Sequence, residues 1–261
     1  MSAVDSFVQN HIAYPVLPLI LLFLVLYFGR DYIMKIRKKA FAAVLTYFGE
    51  HYEKASDSVK RKLFSQLECI TSKDLKLKNE GRIRILEIGI GTGMNLGYFP
   101  KSCQLIPLDF NVEIKSKLME NAKKYPHVEI EDLVVGEAEN MKQIKDNSVD
   151  AVVCTLVLCS TRDSAKALEE VKRVLVPGGK FFFLEHVHAE EGTLLNKVQS
   201  LLSVTRVWPS LFLGCELNRH TWERVEKAGF SEVEFRRTDV YVPNVFIFKF
   251  VKSHIYGIAT K

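Results

Sequence analysis

The sequence has no C-x-x-C pair, no repeated histidine spacing and no G-x-G-x-x-G fingerprint. Its five cysteines, Cys69, Cys103, Cys154, Cys159 and Cys215, are odd in number and scattered, so neither a disulfide framework nor a zinc site is expected from spacing, and no metal is assigned. They read as reduced cytosolic thiols. Cys154 and Cys159, near a predicted strand end, read as buried small hydrophobes or as groups one of which approaches a ligand. Internal repeats and low-complexity tracts are missing too. Net charge is scarce outside one stretch: residues 30–40 carry five basic side chains against Asp31, a net +4 that leaves the other 250 residues at +1. A basic stripe running through the folded domain is therefore excluded, and with it nucleic acid as the main partner. With 261 residues, 48% of them hydrophobic, the chain can build one full core and an appendage, with little room for a second large domain.

What is present is, first, a run of 17 residues without a charge, residues 12–28. That length lies near the lower limit for crossing a hydrocarbon layer of about 30 Å, so the run reads either as a short span or as an embedded anchor. Asp5 is the only charge before it and Arg30-Asp31 follow directly, which is unlike a cleaved secretory signal. Lys35, Arg37, Lys38 and Lys39 put the positive flank on the C-terminal side and so predict that this side faces the cytosol. Pro15 and Pro18 break the first turns and favour insertion into one leaflet as the competing alternative. The expected organisation is an anchor at 1–34, a basic collar and helical cap at 35–71, and a catalytic domain at 72–261.

Within that domain, residues 82–88, 103–108, 128–134, 149–156 and 180–186 have strand character, and residues 113–124 and 164–175 have helical character. The alternation predicts a doubly wound α/β fold with a mostly parallel, seven-stranded sheet covered on both faces and an antiparallel last strand. Residues 41–70 suggest one or two helices over the sheet edge, Pro177-Gly178-Gly179 a turn before the fifth strand, and residues 219–229 a further helix. Strand candidates follow at 232–237 and 254–260, with the apolar stretch 245–251 between them ambiguous.

The strongest motif is Glu87-Ile88-Gly89-Ile90-Gly91-Thr92-Gly93, an apolar strand entering three alternating glycines at the expected start of a helix. Glycine there lets the backbone turn sharply and approach a ligand without a Cβ in the way. A third glycine in the dinucleotide register would fall on Met94 or Leu96, which disfavours NAD. Asp109, 20 residues beyond Gly89 at the end of the second strand, sits where an acid accepts hydrogen bonds from both ribose hydroxyls; capping the following helix is its alternative role.

E-x-G-x-G-x-G resembles motif I of the class I methyltransferases, which implies S-adenosylmethionine as cofactor, with Glu87, Gly89, Gly91 and Gly93 around its methionine end. Gly136-Glu137-Ala138-Glu139 is similar to the adenine-side motif of that family. The resemblance implies that Glu137 takes the exocyclic amine and the backbone of Ala138 meets the ring, with Glu139 as the alternative acid because the family usually has Asp where Glu137 stands. Residues 147–154 resemble the fourth-strand motif, with Asp150 structural. More narrowly, residues 154–160, Glu185-His186-Val187 and His254-Ile255-Tyr256-Gly257 resemble the membrane-bound alkyl-thiol S-methyltransferases of the methyltransferase-like family. That resemblance implies a small lipophilic thiol as acceptor and a place at the endoplasmic reticulum membrane or on lipid droplets.

Displacement of a methyl group from a sulfonium needs mainly alignment and dryness, with at most one base. His186, closing the fifth strand on the ligand-binding side of the sheet, is the candidate catalytic base; a polar strand end is its plainer role. His188 shares its strand face, and His220 reads as a solvated helix start. The insertion at 189–217 is apolar and could be a lid, a membrane contact or plain core, and Phe246, Phe248 and Phe250 could line the same pocket. Two other functions fit the same residues: methylation of a membrane lipid or quinone, and a scaffold that binds the cofactor without turnover.

Overall fold

The computed structural model describes residues 14–261, which divide into two units at residues 40 and 41. The predicted apolar run begins at residues 12 and 13, outside the described residues. Helix α1, Tyr14–Phe64, is continuous where the apolar pattern allowed one or two helices, and a 3-10 turn, Ser65–Cys69, follows it. Pro18 is accommodated inside α1 because its missing N–H falls within the first turns, where only the helix's opening bond is lost. Among the described residues no helix is long and apolar enough to cross a membrane, so the predicted N-terminal segment is not found as a span.

In the larger unit, α2 (Leu75–Asn79) precedes β1 (Ile83–Ile88), β2 (Cys103–Asp109), α3 (Lys115–Ala122), β3 (Val128–Ile130), β4 (Val134–Val135) and β5 (Val149–Thr155). Then come α4 (Ser164–Val174), β6 (Leu175–His186), α5 (Leu194–Val204), α6 (Val207–Leu211), α7 (Thr221–Lys227), β7 (Glu232–Asp239) and β8 (Ser253–Thr260). The strand order is β3-β2-β1-β5-β6-β8-β7, with β4 also on β2. Neighbours from β3 to β6 are parallel, and β8 runs antiparallel to both β6 and β7. The doubly wound fold and antiparallel last strand stand as expected. The sheet has eight strands rather than seven because the predicted strand at 128–134 is interrupted: after Glu131 donates its N–H to Leu105 the pairing with β2 stops, and it resumes at Val134.

The central strands are buried at nearly every position, and the alternation of their side chains gives the sheet two apolar faces. Leu86, Ile88, Val152, Phe181 and Phe183 pack on one side with Leu168 and Val171 of α4. Ile83, Ile85, Ala151, Val153 and Phe182 pack on the other with Leu118 of α3 and Leu63 and Phe64 of α1. Helix α4 shows why such a segment forms. Asp163 caps it by accepting from the backbone N–H of Ala165 and Lys166, and Ala167, Leu168, Val171 and Val174 put one apolar stripe on the sheet. Asp150 is structural, as expected: its two oxygens accept from the N–H of Lys73 and Arg84 and tie β5 to β1 and to the segment before it.

Two local expectations change. The glycine motif opens onto turns and a short 3-10 segment, Leu96–Tyr98, instead of an α-helix, because Pro100 forces Phe99 into extended backbone at ψ 154°. Pro177-Gly178-Gly179 lies inside β6 as an irregularity where pairing jumps from Val149–Leu175 to Ala151–Lys180, since Gly178 at φ +77° leaves the ladder without ending it.

Candidate active site

The parallel strands end together, and their carboxyl ends border a cavity of about 290 Å³ lined entirely from the unit at 41–261. One part of its wall is the glycine motif. Gly89 and Ile90 donate to the Leu108 carbonyl at 2.7 and 3.1 Å, which bends the chain off β1 across the end of β2. Gly89, Gly91 and Gly93 have φ of +66°, +54° and +81°. At Gly89 a Cβ would stand 2.3 Å from the Cγ2 of Val157, so the residue is required both by its backbone and by the neighbouring chain. Asp109 holds the loop's shape, accepting from the N–H of Gly91 at 3.0 Å and of Asn111 at 2.8 Å.

Glu87 is buried at the mouth of the loop. Its Oε1 accepts from Asn95 Nδ2 at 2.7 Å, and the same amide donates to Thr155 Oγ1 at 3.0 Å. Glu87 Oε2 and Asn95 Oδ1 are buried with no hydrogen-bond partner. Two buried acceptors without partners, on residues that line the cavity beside the glycine cradle, fit a bound ammonium group, which S-adenosylmethionine carries at its methionine end. Burial pushes the Glu87 carboxyl up to about 8, while the Asn95 hydrogen bond and the charge of Lys60 pull it down. Lys60 was not singled out in the sequence. It lines the same cavity from α1, is 1% exposed, sits over the rings of Tyr52 and Tyr98, and has its ammonium pushed down by burial. It is the cation available to the cofactor's carboxylate.

These charges predict a pH dependence. A raised carboxyl value means that the protonated form stabilises the fold fully below the ordinary carboxylate range, a contribution lost as pH rises through about 8. An ammonium against Oε2 favours the ionised form, so binding expels a proton. Cofactor affinity therefore rises between about pH 6 and 8, by up to about tenfold per unit, and Glu87→Gln flattens the profile. Calorimetric titration in two buffers of different ionisation enthalpy counts the proton; equal profiles for both proteins contradict the assignment.

The structure does not bring Glu137 or Ala138 to the cavity wall. They follow β4 on the same side of the sheet as Asp109, whose carbonyl accepts from Gly136. Glu137 is paired with Arg162 at 3.2 Å, and Glu139 accepts from the N–H of Arg162 and Asp163. Phe110 and Asn111 line that stretch of the cavity instead.

The rest of the wall is apolar. Phe41, Val44, Phe48 and Tyr52 present one stripe of α1, and Trp208, Phe212 and Leu213 come from the 189–217 insertion. The insertion therefore forms part of the cavity wall on one side, and on the other it exposes Leu194, Leu201, Val204 and Leu211. Its polarity is inverted: Gln199 and Ser203 are the buried residues of α5, bonded to the backbone of Ala189, Phe250 and Leu217. Of the three phenylalanines, Phe248 lines the cavity and stacks on Tyr52; Phe250 packs on Trp208 and Phe246 is exposed.

His186 reaches this apolar end, buried, with Nε2 3.1 Å from Cys215 Sγ and Nδ1 without a partner. The preceding Glu185 secures the loop after β5. Its Oε1 accepts from the N–H of Val157 and Leu158 and from the Cys154 thiol, and burial pushes its carboxyl up. Leu156, at the turn out of β5, holds φ +57°, a strained value for a leucine. Cys154 is part of the core, whereas Cys159 lines the cavity. His188 lies outside, bonded to His220, Asn196 and Ser200, and His220 stacks on Trp222. His254 is neutral, its value pushed down to about 3 by burial. Its Nδ1 lies 2.8 Å from the Lys252 carbonyl and its Nε2 3.0 Å from the Tyr52 hydroxyl.

The arrangement matches known proteins. A family model described as a methyltransferase domain matches residues 86–183. Thiol S-methyltransferase TMT1A of Homo sapiens is 38% identical over 86% of this chain and 87% of its own, and thiol S-methyltransferase TMT1B of Rattus norvegicus is 41% identical over 80% of each. A solved SAM-dependent methyltransferase of Methanosarcina mazei superposes with a TM-score of 0.55 at 20% identity, covering 69% of this chain and 92% of that one, which shows the shared fold. On the identity and coverage it shares with them, the chain belongs to the family of these thiol S-methyltransferases, within the S-adenosylmethionine-dependent methyltransferases.

Proposed function

We propose that the protein transfers a methyl group from S-adenosylmethionine to a small lipophilic alkyl thiol at a membrane surface. One observation carries the reading. The cavity that begins at the glycine cradle ends among apolar side chains with Cys159, Ser160, His186 and Cys215 between them, the surroundings a neutral thiol needs on one side and its proton on the other. The names of the relatives support a thiol as acceptor.

Bound S-adenosylmethionine supplies a methyl carbon on a sulfonium, open to in-line displacement. Asp109 fixes the ribose, Glu87 and Asn95 receive the ammonium, and Lys60 balances the carboxylate. Phe48, Tyr52, Trp208 and Phe212 exclude water, which raises the reactivity of a thiolate by leaving it poorly solvated. His186 is the group placed to take the acceptor's proton. An alkyl alcohol of the same length offers a far less acidic proton and a harder nucleophile, so in competition the thiol is methylated at least about a hundredfold faster. Product analysis with an equimolar thiol and alcohol tests this; equal methylation sinks the thiol preference.

Membrane attachment rests on the chain's exposed apolar surface. Val16, Leu17, Leu19, Ile20, Leu21, Leu22 and Phe23 are all exposed on successive positions of α1, so no single face of this stretch is sheltered. Embedding in one leaflet suits a segment too short to cross. The exposed apolar side of α5 and α6 offers a second contact. The basic residues at 35–39 favour a cytosolic active site, and the endoplasmic reticulum and lipid droplets are the membranes in view. Deleting residues 1–34 is expected to move most of the protein from the membrane pellet to the supernatant on flotation, with cofactor binding kept; unchanged flotation would put the attachment on α5 and α6.

A further inference from the structure

We propose that Cys159, His186 and Cys215 bind a thiophilic divalent cation of the zinc class through three protein ligands, its fourth position opening into the cavity. The three residues come from the loop after β5, the end of β6 and the segment between α6 and α7, and each is less than 9% exposed. Their donor atoms converge. His186 Nε2 is 3.1 Å from Cys215 Sγ, the two sulfurs are 3.7 Å apart, and all three atoms lie within 4.8 Å of one another. Tetrahedral zinc holds thiolates at about 2.3 Å and imidazole nitrogen at about 2.0–2.1 Å, which places two such sulfurs about 3.8 Å apart and a nitrogen and sulfur about 3.5 Å apart. The sulfurs already stand at that spacing, and the nitrogen has to withdraw by a few tenths of an ångström. Two thiolates and one imidazole form a donor set that selects zinc over harder cations, and three protein ligands with one open position mark catalytic rather than structural sites. Trp208 Nε1 donates to Cys215 Sγ at 3.4 Å, the kind of outer bond that steadies a ligating thiolate. All three ligands line the cavity, so the open position faces the chamber where the acceptor is placed.

The consequence rests on the thiol reading. An acceptor thiol entering the fourth position loses its proton to solvent, and its sulfur stays anionic and oriented in a dry chamber. This sulfur forms the new bond to the methyl carbon as the carbon–sulfonium bond breaks, and that bond's electron pair leaves with the departing thioether. The methylated product is a neutral thioether, a weak ligand, and vacates the position. With the ion present, coordination acidifies the thiol, its proton leaves to solvent, and His186 serves as a ligand instead of as the base.

The test uses the full chain in detergent, purified from zinc-supplemented cells, with Co²⁺ as the spectroscopic probe. About one zinc per chain by elemental analysis is expected. Exchange with Co²⁺ should produce thiolate-to-cobalt charge-transfer bands and intense tetrahedral d–d bands. Cys159→Ser and Cys215→Ser lose metal and bands while still binding S-adenosylmethionine, which shows that they are folded; Cys69→Ser keeps both. Removing the ion lowers thiol methylation at least about tenfold, and adding Zn²⁺ back restores it. Wild type that takes up no more Co²⁺ than Cys215→Ser overturns the site. Full thiol methylation by metal-free protein overturns the ion's role and leaves the thiol reading standing, whereas bound metal without methylation of any thiol supports the site and counts against that reading.

Discussion

Asp109→Ala is expected to raise the dissociation constant for S-adenosylmethionine about a hundredfold, equivalent to about 2.7 kcal/mol. Two charge-assisted bonds to ribose hydroxyls account for that loss, each worth about 1.5–3 kcal/mol with partial compensation by water. The carboxylate also accepts from Gly91 and Asn111, so the alanine variant loosens the glycine loop as well as removing the ribose acceptor. Asp109→Asn separates the two contributions, since it keeps one acceptor oxygen. It should lose about tenfold in affinity with little change in the melting temperature of the free protein, whereas the alanine variant loses in both. Calorimetric titration of the three proteins decides this, and unchanged affinity in the alanine variant would remove the ribose role.

Gly89→Ala should abolish measurable cofactor binding and destabilise the free protein. A left-handed conformation costs an alanine about 1–2 kcal/mol, and overpacking adds about 1–3 kcal/mol. The Cβ would meet Val157 Cγ2 at 2.3 Å, and Val157 cannot retreat easily because its N–H is held by Glu185 at 3.0 Å. The clash has a specific remedy. Removing the obstructing methyl groups with Val157→Ala in the same chain should restore part of the melting temperature without restoring full affinity, because the φ of +66° remains unfavourable. If Gly89→Ala binds the cofactor normally, the loop is not the cradle described.

How far the site was legible depends on how local each signal is. Glu87, Gly89, Gly91 and Gly93 fall within seven consecutive residues, and Asp109 comes at the end of the next strand. Their pattern encodes the cradle directly. Lys60 and Tyr52 reach the cavity from α1, a helix whose apolar pattern shows that a face is buried without showing against what. Cys159, His186 and Cys215 are separated by 27 and 29 residues, so no ligand spacing exists to be found; only the topology, which sets β6 beside β5 and folds the insertion over both, brings them together. The adenine-side motif lies off the described cavity wall, where Glu137 pairs with exposed Arg162. The insertion shows two faces that its composition does not reveal, since buried Gln199 and Ser203 hold α5 in place and leave Leu194 and Leu201 outside.

The most direct test of the central claim is transfer of labelled methyl from S-adenosylmethionine by the membrane-bound protein, offered a small lipophilic thiol and, separately, a total lipid extract. The account predicts label in the thioether, little in the lipid, and loss of transfer in Asp109→Ala. Label in the lipid alone would contradict it in favour of a lipid methyltransferase, and label in neither, with cofactor bound, in favour of a scaffold.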